Sequence, residues 1–164
     1  MPAKLNHTIE SMDESSNRRI PAMMCRDLMK TDVECVSPKT AVVQAATQMK
    51  QANVGFLPVC DEGTHRVLGT ITDRDIVVRV VAAGESLREP IERFFTRRVV
   101  GVRSTDTLQE AQKLMGQEKV SRILCLGGND KLEGVISLSD IAQVEEGRRA
   151  SATLRDISER EVRM

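Results

Sequence analysis

The chain has 164 residues, 40% of them hydrophobic, with 24 basic and 24 acidic side chains in balance. That is apolar material enough for a real core within the size of one domain. Zero net charge, three Phe and no Trp or Tyr leave neither the electrostatic footprint nor the stacking platform of a nucleic-acid binder, and no basic face for an acidic membrane.

Residues 1–22 lack the apolar stretch of a secretory signal, and Glu10, Asp13 and Glu14 are unlike an acid-poor transit peptide, so the cytoplasm is the expected location. The Ser-rich polar run 6–19 is expected to stay mobile until something docks it. Glu34-Cys-Val36 predicts a short extended run, and Ser37-Pro38 a turn, because proline disfavours helix in the residue before it. Thr40 stands where an N-cap belongs. Val42, Val43, Ala45, Ala46 and Met49 then recur in three- and four-residue steps, which predicts an amphipathic helix over 41–52. Phe56-Leu-Pro-Val-Cys60 and Val67-Leu-Gly-Thr-Ile71, separated by a polar turn, read as strands, with Pro58 confining the first to a sheet edge or an irregular spot. A second helix is expected over 73–83, stopped by Gly84. Its apolar run Ile76-Val-Val78 is cut by Arg79 before Val80-Val-Ala-Ala83, so nothing approaches the roughly 18 apolar residues of a membrane span.

The same series then starts again. Val36 matches Val102, Ala45 matches Ala111, Met49 matches Met115, Gln51 matches Gln117 and Val54 matches Val120, each 66 residues on. Past the second strand the offset falls to 65, a one-residue deletion absorbed between 61–66 and 127–131, where a loop tolerates it. The second copy has Asp106 as its cap and Leu108, Ala111, Leu114 and Met115 on the helix face. Strands follow at Ile123-Leu-Cys-Leu126 and Leu132-Glu-Gly-Val-Ile136, then a helix over 138–146 stopped by Gly147. Each unit is therefore β-α-β-β-α. A period in the sixties is too short for two independent domains, so each unit needs its sibling. The expected fold is α/β, with two units, 24–84 and 90–147, packed by pseudo-twofold symmetry into one module. Residues 148–164 are left as a tail or an added helix.

Both copies close on one motif. Gly69-x-x-Thr72-x-x-Asp75 and Gly134-x-x-Ser137-x-x-Asp140 stand at strand-to-helix junctions, and two readings of them stay open. A hydroxyl at N-cap with an acid at N3 is a capping box. The same place offers free N–H groups and a positive dipole that suit a phosphate, and an ionised Asp, acceptor only, can take both hydroxyls of a ribose diol.

The ordered set of Val33-x-Cys35-Val36-Ser37-Pro38, Ala45-Ala46-x-x-Met49, Val54-Gly-Phe-Leu-Pro-Val59 and Leu68-Gly-Thr-Ile-Thr-Asp-Arg-Asp-Ile76 resembles a CBS domain, named for cystathionine beta-synthase. The two copies resemble the CBS pair that packs into one disc, in the manner of stand-alone bacterial CBS-pair proteins associated with stress. The resemblance implies an adenosine-containing ligand, one of AMP, ADP, ATP, NAD or S-adenosylmethionine, in two clefts, with no cofactor required. It puts Thr72 and Asp75 on one ribose, and Ser137 and Asp140 on the other. Apolar adenine contacts fall on Val33, Phe56, Leu57 and Pro58, with second-copy counterparts at Val99 and along 121–124, including Ile123. Arg74 and Arg122 stand where basic side chains could meet phosphates, solvated surface charge being their other reading. The copies differ, with Arg74 facing Ser139, Asp73 facing Leu138, Phe56 facing Arg122 and Pro58 facing Leu124. A full site is accordingly expected at Thr72 and Asp75, with Arg122 reaching in from the other copy.

The resemblance also implies a homodimer joined through the helices at 76–83 and 141–144, and a regulated protein partner in trans, with no nucleic acid and no membrane. No enzyme is expected. Nothing outside the two units is large enough for a catalytic domain, the two His lie far apart, the four Cys form no C-x-x-C, and no P-loop occurs. The rival is a dimeric stress or redox-responsive scaffold that binds no nucleotide, its motifs serving only as caps. Its thiols would be Cys35 and Cys60, which end apolar stretches of one unit. The simpler reading makes Cys35, Cys60 and Cys125 small buried apolar residues.

Overall fold

The computed structural model describes residues 22–144; the expected mobile run 6–19, the Gly147 stop and the 148–164 tail lie outside them. In chain order the elements are α1 (Cys25–Leu28), α2 (Val42–Ala52), β1 (Phe56–Cys60), β2 (Val67–Thr72), α3 (Asp73–Asp75) running into a π-helical turn (Ile76–Val81), β3 (Gly101–Arg103), α4 (Leu108–Glu118), β4 (Arg122–Leu126), β5 (Leu132–Ser137) and α5 (Leu138–Val144). This is the expected α/β module of two repeats. β1 and β2 form an antiparallel hairpin with Phe56 opposite Thr72, and β4 and β5 form its counterpart with Arg122 opposite Ser137.

The first strand of each unit fares differently. β3 runs parallel to β4, with Val102 opposite Cys125, whereas the expected strand at Glu34-Cys-Val36 is reduced to one bridge between Val36 and Val59. Two prolines are the cause. In the second unit the ladder is extended by Leu124 N–H to the Val100 carbonyl (3.3 Å) and Ser104 N–H to the Leu126 carbonyl (3.3 Å). The residues 66 earlier than these donors are Pro58 and Pro38, which have no N–H to give. Only Val36 N–H to the Pro58 carbonyl (3.0 Å) and Cys60 N–H to the Val36 carbonyl (2.8 Å) survive.

Both first helices start one residue later than their expected caps. The Thr40 hydroxyl accepts from Ser37 N–H (3.1 Å) and the Asp106 carboxylate from Arg103 N–H (2.7 Å), so both close the preceding turn. Ala41 is the N-cap of α2, while Thr107 caps α4 in a reciprocal box with Glu110. The second helix of the first unit is also not the regular helix expected over 73–83. Ala82 N–H reaches the Val77 carbonyl and Glu85 N–H the Val80 carbonyl, both at 2.9 Å. Five β-branched side chains in the six residues of Ile76–Val81 crowd an α-helical turn, and the wider turn relieves them. Gly84, at φ +70°, then ends the segment.

The two repeats exchange their leading segments. Cys25 and Arg26 N–H bond the carbonyls of Asp106 (2.8 Å) and Ser104 (2.9 Å), Leu108 N–H bonds Met23 (2.8 Å), and Lys30 exchanges both backbone bonds with Val135 (3.0 Å each), all in the second unit. The same contacts recur 65 or 66 residues away. Ile91 and Glu92 N–H bond Thr40 (2.9 Å) and Pro38 (3.0 Å), Val42 N–H bonds Glu89 (2.9 Å), and Thr96 exchanges both bonds with Thr70 (2.9 Å each), now in the first unit. The cores follow this exchange. Ile91, Phe94 and Phe95 belong to the cluster of Val42, Leu57, Ile71 and Val80, while Cys25, Leu28 and Met29 pack with Leu108, Met115, Ile123 and Ile136. A third cluster, which includes Cys60, Val67, Leu124 and Leu126 with Phe56, Val99 and Val135 against it, joins the two hairpins.

Candidate functional site

At both junctions the capping box is formed. Asp75 Oδ2 accepts from Thr72 N–H (3.0 Å) and from the Thr72 hydroxyl (2.8 Å), whose oxygen accepts in turn from Asp75 N–H (3.1 Å). Asp140 Oδ2 accepts from Ser137 N–H (2.9 Å) and the Ser137 hydroxyl, and Ser137 Oγ takes Asp140 N–H (3.2 Å). The other carboxylate oxygen is left for a different partner. In the first copy Asp75 Oδ1 meets Arg79 at 3.3 Å, and in the second Asp140 Oδ1 meets Lys30 Nζ at 2.7 Å. Each Asp thus divides its work, with Oδ2 closing the helix and Oδ1 facing a cation.

Those cations come from different places. Arg79 lies on its own unit's π-helical turn, and its guanidinium also donates to the Phe94 carbonyl (2.6 Å) and to Thr96 Oγ1 (3.3 Å). Lys30 comes in on the exchanged lead, at the position equivalent to Thr96. Asp140 is 6% exposed. Burial pushes its carboxyl up, but the Lys30 ammonium and the Ser137 hydroxyl and amide outweigh this and hold it below the usual carboxylate range. The motif glycines are explained by the same leads. A Cβ on Gly69 would stand 2.1 Å from the Thr96 carbonyl, and one on Gly134 2.7 Å from the Lys30 carbonyl.

Of the expected ligand contacts, Phe56 and Val99 come together in the cluster between the hairpins, Val33 is half-buried, and Pro58 is buried. Leu57 and Ile123 are placed differently. They are 2% and 0% exposed and belong to the cores of their own units, because successive strand residues face opposite ways. Arg122 is exposed and lies across the hairpin from Ser137, beside the second copy's motif. Arg74 is exposed, its N–H held by Asp73 Oδ1 at 2.7 Å. Lys30 and Arg79 were not singled out from the sequence. Extending the alignment of the copies to 30 against 96 and 79 against 144 exposes both as unmatched cations.

All four cysteines are free thiols, so no bond joins Cys35 to Cys60. The two are nonetheless in contact: burial first, then the adjoining Cys35 thiol, pushes the Cys60 thiol up to about 12. Cys125 is pushed up by its hydrogen bond with Cys25 and by burial. Cys60 and Cys125 are buried as expected, whereas Cys35 is half-buried, packed against the cluster that includes Cys60. Among the described residues no three His, Cys, Asp or Glu side chains are grouped to hold a metal ion, and no helix is long and apolar enough to cross a membrane. Open depressions of about 420 Å³ against α2 and about 550 Å³ between the two hairpin turns contain none of the motif residues.

The CBS domain family model matches residues 25–82 and 91–147. Protein YlbB of Bacillus subtilis (strain 168) is 36% identical over 135 residues, 82% of this chain and 90% of that one. Hypoxic response protein 1 of Mycobacterium tuberculosis is 30% identical over 119 residues, 72% of this chain and 82% of its own. The crystal structure of Hypoxic Response Protein I with two coordinated zinc ions aligns with a TM-score of 0.68 at 28% identity, covering 76% of this chain and all of that one. The CBS domain pair of protein MJ0100, in complex with 5'-methylthioadenosine and S-adenosyl-L-methionine, aligns with a TM-score of 0.67 over 76% of this chain and 96% of that one; at 20% identity it shows a shared fold.

Proposed function

The chain belongs to the CBS domain family, carrying two tandem copies, and on that premise we propose that it is a regulatory module of the cytoplasm that senses an adenosine-containing ligand and acts on a partner protein in trans, with no chemistry of its own. One observation carries the reading: each motif Asp caps its helix with Oδ2 alone and keeps Oδ1 for another group. A ribose diol can therefore be received without dismantling the helix start. Thr72 and Asp75 would hold one ribose and Ser137 and Asp140 the other. Val33, Phe56 and Val99 would supply apolar surface for adenine, with the buried Pro58 behind them, and Arg74 and Arg122 would supply charge for phosphates. The related fold of MJ0100, which holds two adenosine derivatives, supports ligands of this class, and AMP, ADP, ATP, NAD and S-adenosylmethionine remain the set to test.

Signalling follows if the ligand favours one arrangement of the units or of two subunits over another. Val77, Val78 and Val81 are 57%, 53% and 60% exposed, and Val144 is 45% exposed, an unusual investment of valine in solvent. These fall on the helices expected to join a homodimer. Sedimentation of a Val78→Asp, Val81→Asp variant should give a monomer where the wild-type chain gives a dimer. Calorimetry with the five ligands tests the sensor itself. Binding should be weakened at one cleft by Asp75→Ala and at the other by Asp140→Ala, and the absence of heat with every ligand would end the reading. The thiol contact between Cys35 and Cys60 favours one second reading, the redox-responsive scaffold. It requires those thiols to oxidise in unreduced protein, which mass spectrometry detects as a loss of two hydrogens.

A further inference from the structure

Each motif Asp faces a cation, but the two cations are held differently. Lys30 is anchored by its backbone, with both hydrogen bonds to Val135 at 3.0 Å, but its side chain is 70% exposed and ends on Asp140 Oδ1 at 2.7 Å. Arg79, the cation facing Asp75, is pinned also by the Phe94 carbonyl and Thr96 Oγ1. Arg79 is thus part of a fixed wall. Lys30 is a flexible four-carbon stem with a point charge, held at its tip by one carboxylate.

We infer that Lys30 is a specificity-determining residue, making the Ser137/Asp140 cleft select ligands that carry a phosphate over neutral nucleosides and over cationic sulfonium nucleosides. This rests on the reading of Asp140 as a ribose acceptor. A ribose that donates to Asp140 Oδ1 competes with the ammonium for that oxygen, and a tip held by one carboxylate is free to give way. With a neutral nucleoside the ammonium is left in water and its contact with a buried carboxylate is lost. A phosphate on the same ligand gives the displaced ammonium a new anion within the swing of its stem, so the cation is transferred and not discarded. A sulfonium brings a second positive charge beside the first and is disfavoured by their repulsion.

The test is calorimetry on the full chain with AMP, adenosine and S-adenosylmethionine, in an Asp75→Ala background that weakens the first cleft, with and without Lys30→Met. A charge-assisted contact of this kind is worth roughly tenfold in affinity. AMP should bind about tenfold or more tighter than adenosine, with S-adenosylmethionine weakest. Lys30→Met should cut the AMP to adenosine ratio by about tenfold, with adenosine and S-adenosylmethionine binding more tightly than before, and Lys30→Arg should keep most of the preference. A gain in adenosine affinity is a result that a damaged fold would not produce. An unchanged ratio in Lys30→Met, with AMP still bound, overturns the assignment to Lys30 alone. No AMP binding in either the wild-type chain or the variants overturns the adenosine reading and this inference with it.

Discussion

Gly69 and Gly134 matter because of what passes over them. Each faces the carbonyl of an exchanged lead, and the closer approach is at Gly69, where an added Cβ would meet the Thr96 oxygen at 2.1 Å against 2.7 Å for Gly134 and Lys30. Backbone, unlike a side-chain tip, has no easy way to yield. Gly69→Ala and Gly134→Ala should each cost about 1–3 kcal/mol, with Gly69→Ala the worse, as read by urea titration followed by circular dichroism. Asp140 makes a prediction in pH. Its folded-state pKa lies below the unfolded one, near 3.9, so its contribution to stability is complete above that value and is lost as pH falls through the folded value. The melting-temperature gap between wild type and Asp140→Asn should be widest near about pH 6 and narrow steadily as pH falls below about 3.9; a gap that stays constant down to acid unfolding would contradict it. At this scale the motif residues were legible because Thr72 and Asp75 recur as Ser137 and Asp140 at one spacing. Lys30 was not, since its partner lies 110 positions away and nothing local to Met29-Lys30-Thr31 marks it.

Among the elements, hairpins were the most readable and first strands the least. A run such as Ile123-Leu-Cys-Leu126 declares itself by composition, but whether Glu34-Cys-Val36 becomes a strand depends on donors that sit far along the chain at Pro58. If the missing N–H is the reason, supplying it should mend the ladder. In Pro58→Ala the new amide is expected to reach the Glu34 carbonyl as Leu124 N–H reaches Val100, and so to exchange slowly in deuterium oxide. Exchange at the rate of an open loop would show that the first unit is short of a strand for another cause. The helix starts were misplaced by one residue for a local reason. Thr40 and Asp106 are good cap residues by type, yet each turns back to the turn before it, leaving Ala41 and Thr107 at the helix. The π-helical turn was likewise beyond a pattern of apolar spacing, which reports the buried stripe of Ile76 and Val80 but not the width of the turn that carries it.

For the whole molecule, the internal repeat correctly announced two units of one fold, but a repeat in sequence need not be a unit in space. Residues 23–30 open the first repeat and complete the second core, while 89–96 do the converse. The exchange ties the clefts together, since each motif glycine lies under the other repeat's lead. A change at one lead is therefore felt at the opposite site. Ile91 gives the sharpest test, being 0% exposed and packed with Val42, Leu57 and Ile71 despite belonging by sequence to the second repeat. Ile91→Ala should cost about 2–5 kcal/mol, as truncation of a buried Ile does. The place of the damage is the discriminating result. Native-state hydrogen exchange should speed up first at α2, β1 and β2, ahead of α4, β4 and β5, because the cavity opens in the first unit. Faster exchange confined to the second hairpin would mean that each repeat keeps its own lead in solution.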